Sequence, residues 1–287
     1  SFLFIADLHS LTQIKDPNQL KHNTYATAAA WLAFGLDINK TIFYRQSDVA
    51  IATELSWILS CHFPYQRLTL AHSFKDKSDR LNDVNAGIFT YPMLMASDIL
   101  LYDAEFVPVG KDQQQHLEMT RDVATRFNNA YGETFVIPSP KINENTKYVS
   151  GTNGEKMSKS KGNTIDIFLS ENQLKKQIMS IETDSTPIDQ PKDFKTCNVF
   201  NLYSLIADNK SIEELKQNYQ KGGFGYGHAK KELLNYILSH FKNEREKFNH
   251  YMNNLGEIDT ALNIGANKAT KVAQDVLNRV RQKLGYN

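Results

Sequence analysis

Along the first half of the chain, short apolar runs alternate with longer amphipathic stretches. Phe2-Leu3-Phe4-Ile5-Ala6 is rich in aromatic and branched residues and reads as a buried strand. A polar stretch follows through Asp7-Leu8-His9-Ser10, then a helical pattern from about Asn18 to Phe34. Ile42-Phe43-Tyr44 predicts a second strand. Ser47 stands where it could cap a helix running to about Cys61. Phe106-Val107-Pro108-Val109 predicts another strand, ended by Gly110, after which Asp112 opens a helix to about Phe127. Strands alternating with helices of this length predict an α/β fold with a parallel sheet.

The pattern changes after about Ile167, where strand signals stop. A helical pattern begins at Leu174 to Ile178. Ser211-Ile212-Glu213-Glu214 has the form of a capping box ahead of Leu215. The glycine-rich stretch Gly222 to Gly227 breaks the pattern. Amphipathic stretches then run from about Ala229 to Met252 and from Asp259 to Leu284. The expectation is an α/β domain over 1–168 and an all-helical domain over 169–287.

Composition narrows the function. Of the 287 residues, 41% are hydrophobic and 23% charged, which is ordinary globular usage. A net charge of +1 excludes a histone-like basic binder but leaves room for a local basic patch. No apolar run is long enough to span a bilayer. Cys61 and Cys197 are the only cysteines, too few for a disulfide framework, so a reducing, cytoplasmic setting is expected. The eight histidines show no metal-ligand spacing with Cys or Glu, so no metal site of the protein's own is expected. The chain opens on Ser1 and is apolar within two residues, without the charged lead-in of a secretory signal.

Three places carry chemistry. Lys156-Met157-Ser158-Lys159-Ser160 is surrounded by Gly151, Gly154 and Gly162, which predicts a loop. Two lysines three apart, interleaved with hydroxyls, suit a polyphosphate, and such a loop could close as substrate charge peaks. The same residues would also make a plain solvated loop. In the run from Ala86 to Tyr102, Asp98 is the only charge. On a helix it lies beside Leu94, Met95, Leu101 and Tyr102, where a carboxylate is costly without a partner. A ligand N–H would serve, as would an Arg or Lys. Finally, Val107 to Gln113 ends a strand at Gly110 and starts a helix, the place where ligands sit in open α/β sheets. Asp112 there could meet a ribose or simply cap the helix. His9 follows the first strand at the same kind of place.

Lys156 to Ser160 is the complete KMSKS signature of class I aminoacyl-tRNA synthetases. Around it the chain resembles the bacterial tryptophanyl branch, through Tyr91 to Tyr102, Val107 to Gln113, Gln115-His116-Leu117-Glu118, Thr120-Arg121-Asp122 and Arg126-Phe127-Asn128. The resemblance implies a Rossmann-type catalytic domain over 1–168 for ATP and tryptophan. An anticodon-binding helical domain over 169–287 would follow, and its last helix could pack back on the first. It also implies tryptophan activation by ATP with Mg2+, transfer to tRNA, and a homodimer. Asp98 matches the family aspartate that bonds the indole N–H, and Met95 and His9 match residues of the same pocket. Tyr91 and Gln113 match residues near the amino group. Gly110, Lys111 and Asp112 match the ribose contact, Val149 an adenine-side backbone contact, and Lys156, Met157, Ser158, Lys159 and Ser160 the phosphate loop.

With no general base required, the implied catalysis is positioning and charge stabilisation by Lys156, Lys159 and Mg2+. The family's HIGH-like motif is absent from this sequence and is expected ahead of Ser1. Two alternatives stay open: the related tyrosyl enzyme, and a non-catalytic homologue that binds tRNA or nucleotide.

Overall fold

The computed structural model describes residues 1–71, 84–110, 113–142 and 149–286. It divides into two compact units, Ser1–Glu144 with Tyr251–Asn287, and Asn145–His250.

In the first unit, β1 (Phe2–Ile5) pairs in parallel with β2 (Ile42–Arg45), with Phe2 opposite Ile42 and Ile5 opposite Arg45. The parallel pairing is made possible by a crossover that includes α1 (Asp7–Ser10) and α2 (Pro17–Ala33). Pro17 at the first helical position and the Asp16 carboxylate accepting from Asn18 N–H start α2. After β2 come α3 (Ile51–His62), α4 (Tyr65–Leu68) and α5 (Ala86–Leu100). A second parallel pair joins β3 (Phe106–Pro108) to β4 (Ser139–Lys141), with α6 (Gln114–Tyr131) between them in sequence. Ser47 does not cap α3. Its N–H and hydroxyl both donate to the Asp7 carboxylate, and Ala50 precedes the helix without a side-chain cap.

Helices α3, α5 and α6 share one core with β2, built on Tyr44, Leu55, Leu59, Met93, Leu100 and Phe127. The helix α12 (Leu255–Lys283) completes it with Ala269, Ala273, Val276 and Val280. Gly265 explains how closely α12 crosses β2: a Cβ there would stand 1.8 Å from the Phe43 carbonyl oxygen. Arg45 to Asp259 (3.0 Å) and Arg281 to Glu54 (2.6 Å) tie the same helix to β2 and α3.

The second unit holds the KMSKS segment and α7 (Glu171–Met179), α8 (Asn198–Ser204), α9 (Asn209–Lys221) and α10 (Tyr226–His240). Leu174, Ile178, Val199, Leu215, Tyr219 and Leu233 form its core. Helix α9 is capped by Asp208, whose carboxylate accepts from Ser211 N–H, so the residue read as opening a capping box lies inside the helix. The amphipathic stretch from Ala229 is broken at Phe241, after which α11 (Lys242–Asn253) begins. The units part near 144 rather than 168, because the KMSKS segment is bonded to the helical part. Gly151 O accepts from Asn198 Nδ2 at 2.7 Å, and Thr152 O from Glu182 N–H at 2.7 Å. Among the described residues no helix is long and apolar enough to cross a membrane.

Candidate active site

The parallel pairing of β1 and β2 brings their carboxyl ends side by side, where open α/β sheets hold ligands. His9 stands one turn past β1 and Gln46 directly after β2. Asp98, on α5, meets both. His9 Nε2 lies 2.9 Å from Asp98 Oδ2, and Gln46 Nε2 donates to Oδ1 at 2.9 Å and Oδ2 at 2.7 Å. Gln46 is 1% exposed and Asp98 7%. Burial pushes the Asp98 carboxyl above the usual carboxylate range, against the opposing pull of His9 and Gln46. A carboxylate offers about four acceptor sites, so the three contacts from His9 and Gln46 leave capacity for one more N–H.

Gln46 was not singled out in the sequence. The signal was available, since it follows a strand as His9 does. Yet a glutamine has no charge to make its burial conspicuous.

A cavity of about 280 Å3 opens beside this cluster. His9, Leu8, Thr12, Thr53, Tyr91 and Leu94 are among its walls. Asp98, Met95 and Gln113 are not among its described lining residues; His9 is the wall and Asp98 bonds its Nε2. Tyr91 and Gln113 are linked through His116. Tyr91 Oη lies 2.5 Å from His116 Nε2, and His116 Nδ1 lies 3.1 Å from Gln113 Oε1. With Gln113 presenting its oxygen, His116 donates from Nδ1, and its Nε2 meets the tyrosine hydroxyl. His116 is 3% exposed, so the relay is sheltered from water. Met95 is half-buried on α5. Gly110 is exposed beyond β3, and its carbonyl accepts from Gln113 N–H at 3.0 Å. Lys111 and Asp112 lie outside the described residues, as does the charged stretch His72 to Lys77.

The KMSKS segment is an independent constellation in the second unit. Ser150 and Lys156 form an antiparallel bridge, and Met157 N–H donates to the Val149 carbonyl at 2.8 Å. Gly154 at φ +78° lets the chain reverse, and Gly162 at φ +64° ends the tight turn Lys159–Lys161 that contains Ser160. Lys161 is neutralised by Glu155 at 2.8 Å. Lys156 and Lys159 are exposed and, among the described residues, neither is paired with a carboxylate. Two uncompensated ammonium groups on a glycine-bounded turn make an anion-seeking surface. Among the described residues, no group of three or more His, Cys, Asp or Glu side chains is placed to hold a metal ion.

The family described as tRNA synthetases class I (W and Y) matches residues 1–242. The chain belongs to this family. Within it, the tryptophan–tRNA ligase of Campylobacter jejuni strain RM1221 is 47% identical over 99% of this chain and 89% of its own length. That of Fusobacterium nucleatum is 46% identical over 99% of this chain and 87% of its own. The solved tryptophanyl-tRNA synthetase of Campylobacter jejuni, complexed with ADP and tryptophan, superposes with a TM-score of 0.94 at 47% identity, covering 98% of this chain and 88% of that one. The Rossmann-type α/β class I fold expected from the KMSKS resemblance is thereby established. A tyrosyl-tRNA synthetase from Archaeoglobus fulgidus, at 17% identity and a TM-score of 0.60, shares the fold alone.

Proposed function

We propose that this class I synthetase activates L-tryptophan with ATP to tryptophanyl-adenylate and transfers the tryptophanyl group to its tRNA. In the first step a tryptophan carboxylate oxygen attacks the α-phosphorus and pyrophosphate leaves. In the second a terminal ribose hydroxyl of the tRNA attacks the adenylate carbonyl and AMP leaves. The observation that carries the choice of amino acid is Asp98, a buried carboxylate with acceptor capacity left for one N–H. An indole N–H fills that remaining acceptor site, whereas phenylalanine would leave it unfilled. The solved relative that binds tryptophan and ADP supports the same reading.

In this reading His9 and Met95 complete the indole pocket, and Tyr91 and Gln113 hold the amino group. Gly110, Lys111 and Asp112 take the ribose, and Val149 takes the adenine edge through its backbone. Lys156 and Lys159 neutralise the charge that builds on the leaving pyrophosphate, with Met157, Ser158 and Ser160 completing the loop. Mg2+ enters on the nucleotide, as part of the substrate. The tRNA is bound by local patches rather than bulk charge, as a net charge of +1 requires. A homodimer in the cytoplasm is the expected working form, and the two free cysteines suit a reducing setting.

The test is amino-acid-dependent exchange of pyrophosphate into ATP by the full-length protein. Exchange with tryptophan and not tyrosine is expected; exchange with tyrosine alone would refute the assignment.

A further inference from the structure

We propose that Asn163 is a positioning residue for the phosphate loop, setting the backbone from which Lys156 and Lys159 project. The inference rests on reading those lysines as the polyphosphate contacts. Lys156 and Lys159 have long, exposed side chains with no carboxylate to orient them among the described residues. Their direction is therefore set by the main chain beneath them, and one buried side-chain amide bonds that main chain inside the KMSKS run, beside the Ser150–Lys156 bridge and the Met157 bond to Val149.

Asn163 is 3% exposed. Its Oδ1 accepts from Ser158 N–H at 2.8 Å. Its Nδ2 donates to the Lys156 carbonyl at 3.2 Å and to Asn153 Oδ1 at 2.7 Å. Its own carbonyl accepts from Thr152 N–H at 2.9 Å. Both side-chain donors and one acceptor are used, and the contacts fall on both arms of the hairpin and inside the KMSKS run.

Two neighbours fit this role. Gly151 lies so close that a Cβ there would stand 2.3 Å from Asn163 Nδ2 and 2.6 Å from its carbonyl, so the strut demands glycine opposite it. Gly162, in the left-handed region, turns the chain immediately before Asn163. Position 163 lies outside the KMSKS run, and its side chain is too buried to meet a nucleotide directly. It acts through the lysines. Small displacements of charged groups from a reacting centre are paid for in turnover.

The test uses the full-length protein in tryptophan-dependent pyrophosphate exchange, with Asn163→Asp, Asn163→Ala and Lys159→Ala compared with the parent. Asn163→Asp keeps the shape and the acceptor for Ser158 N–H. It loses both Nδ2 donations and sets an oxygen against the Lys156 carbonyl and Asn153 Oδ1. Both Asn163 variants are expected to lower kcat by about ten- to a hundredfold. They should raise the KM for pyrophosphate in the exchange while leaving the KM for tryptophan near that of the parent. If Asn163→Ala folds poorly, Asn163→Asp decides. Parental kcat and pyrophosphate KM in Asn163→Asp, with Lys159→Ala impaired, would overturn the strut and leave the phosphate reading standing. Unchanged turnover in Lys159→Ala would overturn the phosphate reading, and the strut with it. A loss of kcat, tryptophan KM and unfolding temperature together would assign Asn163 a merely structural role and overturn the proposal.

Discussion

Gln46 donates one amide group to both oxygens of Asp98, at 2.9 and 2.7 Å, across a separation of 52 residues. The pair is buried and leaves His9 as the second partner of the same carboxylate. A neutral amide and a histidine ring thus hold the carboxylate in place. An acceptor built this way is available to an incoming N–H, whereas an Asp98 paired with arginine would not be.

Removing the acceptor tests the pocket most directly. Asp98→Ala is expected to raise the tryptophan requirement far more than the ATP requirement, by about 1–3 kcal/mol of binding. Steady-state exchange kinetics with each substrate varied in turn measures this. An equal loss for ATP and tryptophan would remove the indole role.

Asp98 should also cost the fold something at neutral pH. Its folded-state carboxyl titrates above the ordinary value, so the folded protein holds its proton more tightly than the unfolded chain does. Stability from this group is present below the unfolded value and declines as pH rises through the folded one. Asp98→Asn never ionises, though it turns an amide NH2 toward the Gln46 donor, so its stability relative to the parent is expected to rise with pH through the carboxylate range. That relative gain should shrink as pH falls below the carboxylate range. Thermal unfolding at a series of pH values reads it, and a gain that grows in acid would contradict the burial argument.

Gln46→Leu keeps the volume but withdraws the donor shared by both carboxylate oxygens. We expect lower stability by about 1–3 kcal/mol, the usual cost of a buried polar group left unsatisfied. A weaker tryptophan affinity should accompany it. Denaturant unfolding and tryptophan titration check the two halves, and an unaffected affinity would confine Gln46 to the fold.

In the other unit, Lys159→Ala is expected to lower turnover with little change in tryptophan affinity. On the proposed reading its ammonium acts as pyrophosphate charge develops, not when the amino acid binds. Single-turnover formation of the adenylate gives the readout. Parental rates would return this segment to an ordinary solvated loop.

The crossing of α12 over β2 offers a test of the fold itself. Gly265→Ala would drive a methyl group into the Phe43 carbonyl, so either the helix or the strand must move. Overpacking of this kind costs about 1–3 kcal/mol. Thermal unfolding should show a lower midpoint, and an unchanged one would mean the helix rides over β2 with slack.

Much of the site was legible because each part is local. The KMSKS run, the lone carboxylate in the apolar stretch around Asp98 and the strand before Gly110 are patterns within single elements. Hydrophobic periodicity also placed β1, β2 and α2 within a residue or two of their observed ends. Caps were read less well. Asp208 and Ser211 are both good capping residues three positions apart, and helical packing of Leu215 and Tyr219 selects the earlier one. Ser47 had a partner in Asp7 that is 40 residues away, which no local pattern displays.

The sequence by itself determined the chemistry: which residues carry charge, which loop can meet a phosphate, and which carboxylate sits among apolar neighbours. The tertiary structure decided the partners. Parallel pairing of β1 with β2 brings His9 and Gln46 to one edge, and packing of α5 delivers Asp98 to both. Likewise the hydrogen bonds of Gly151 and Thr152 join the KMSKS segment to the helical unit rather than to the strands. Composition and periodicity act over one turn or one strand. A buried polar group is satisfied by whatever the topology brings within 3 Å of it, and that is settled only when the chain closes on itself.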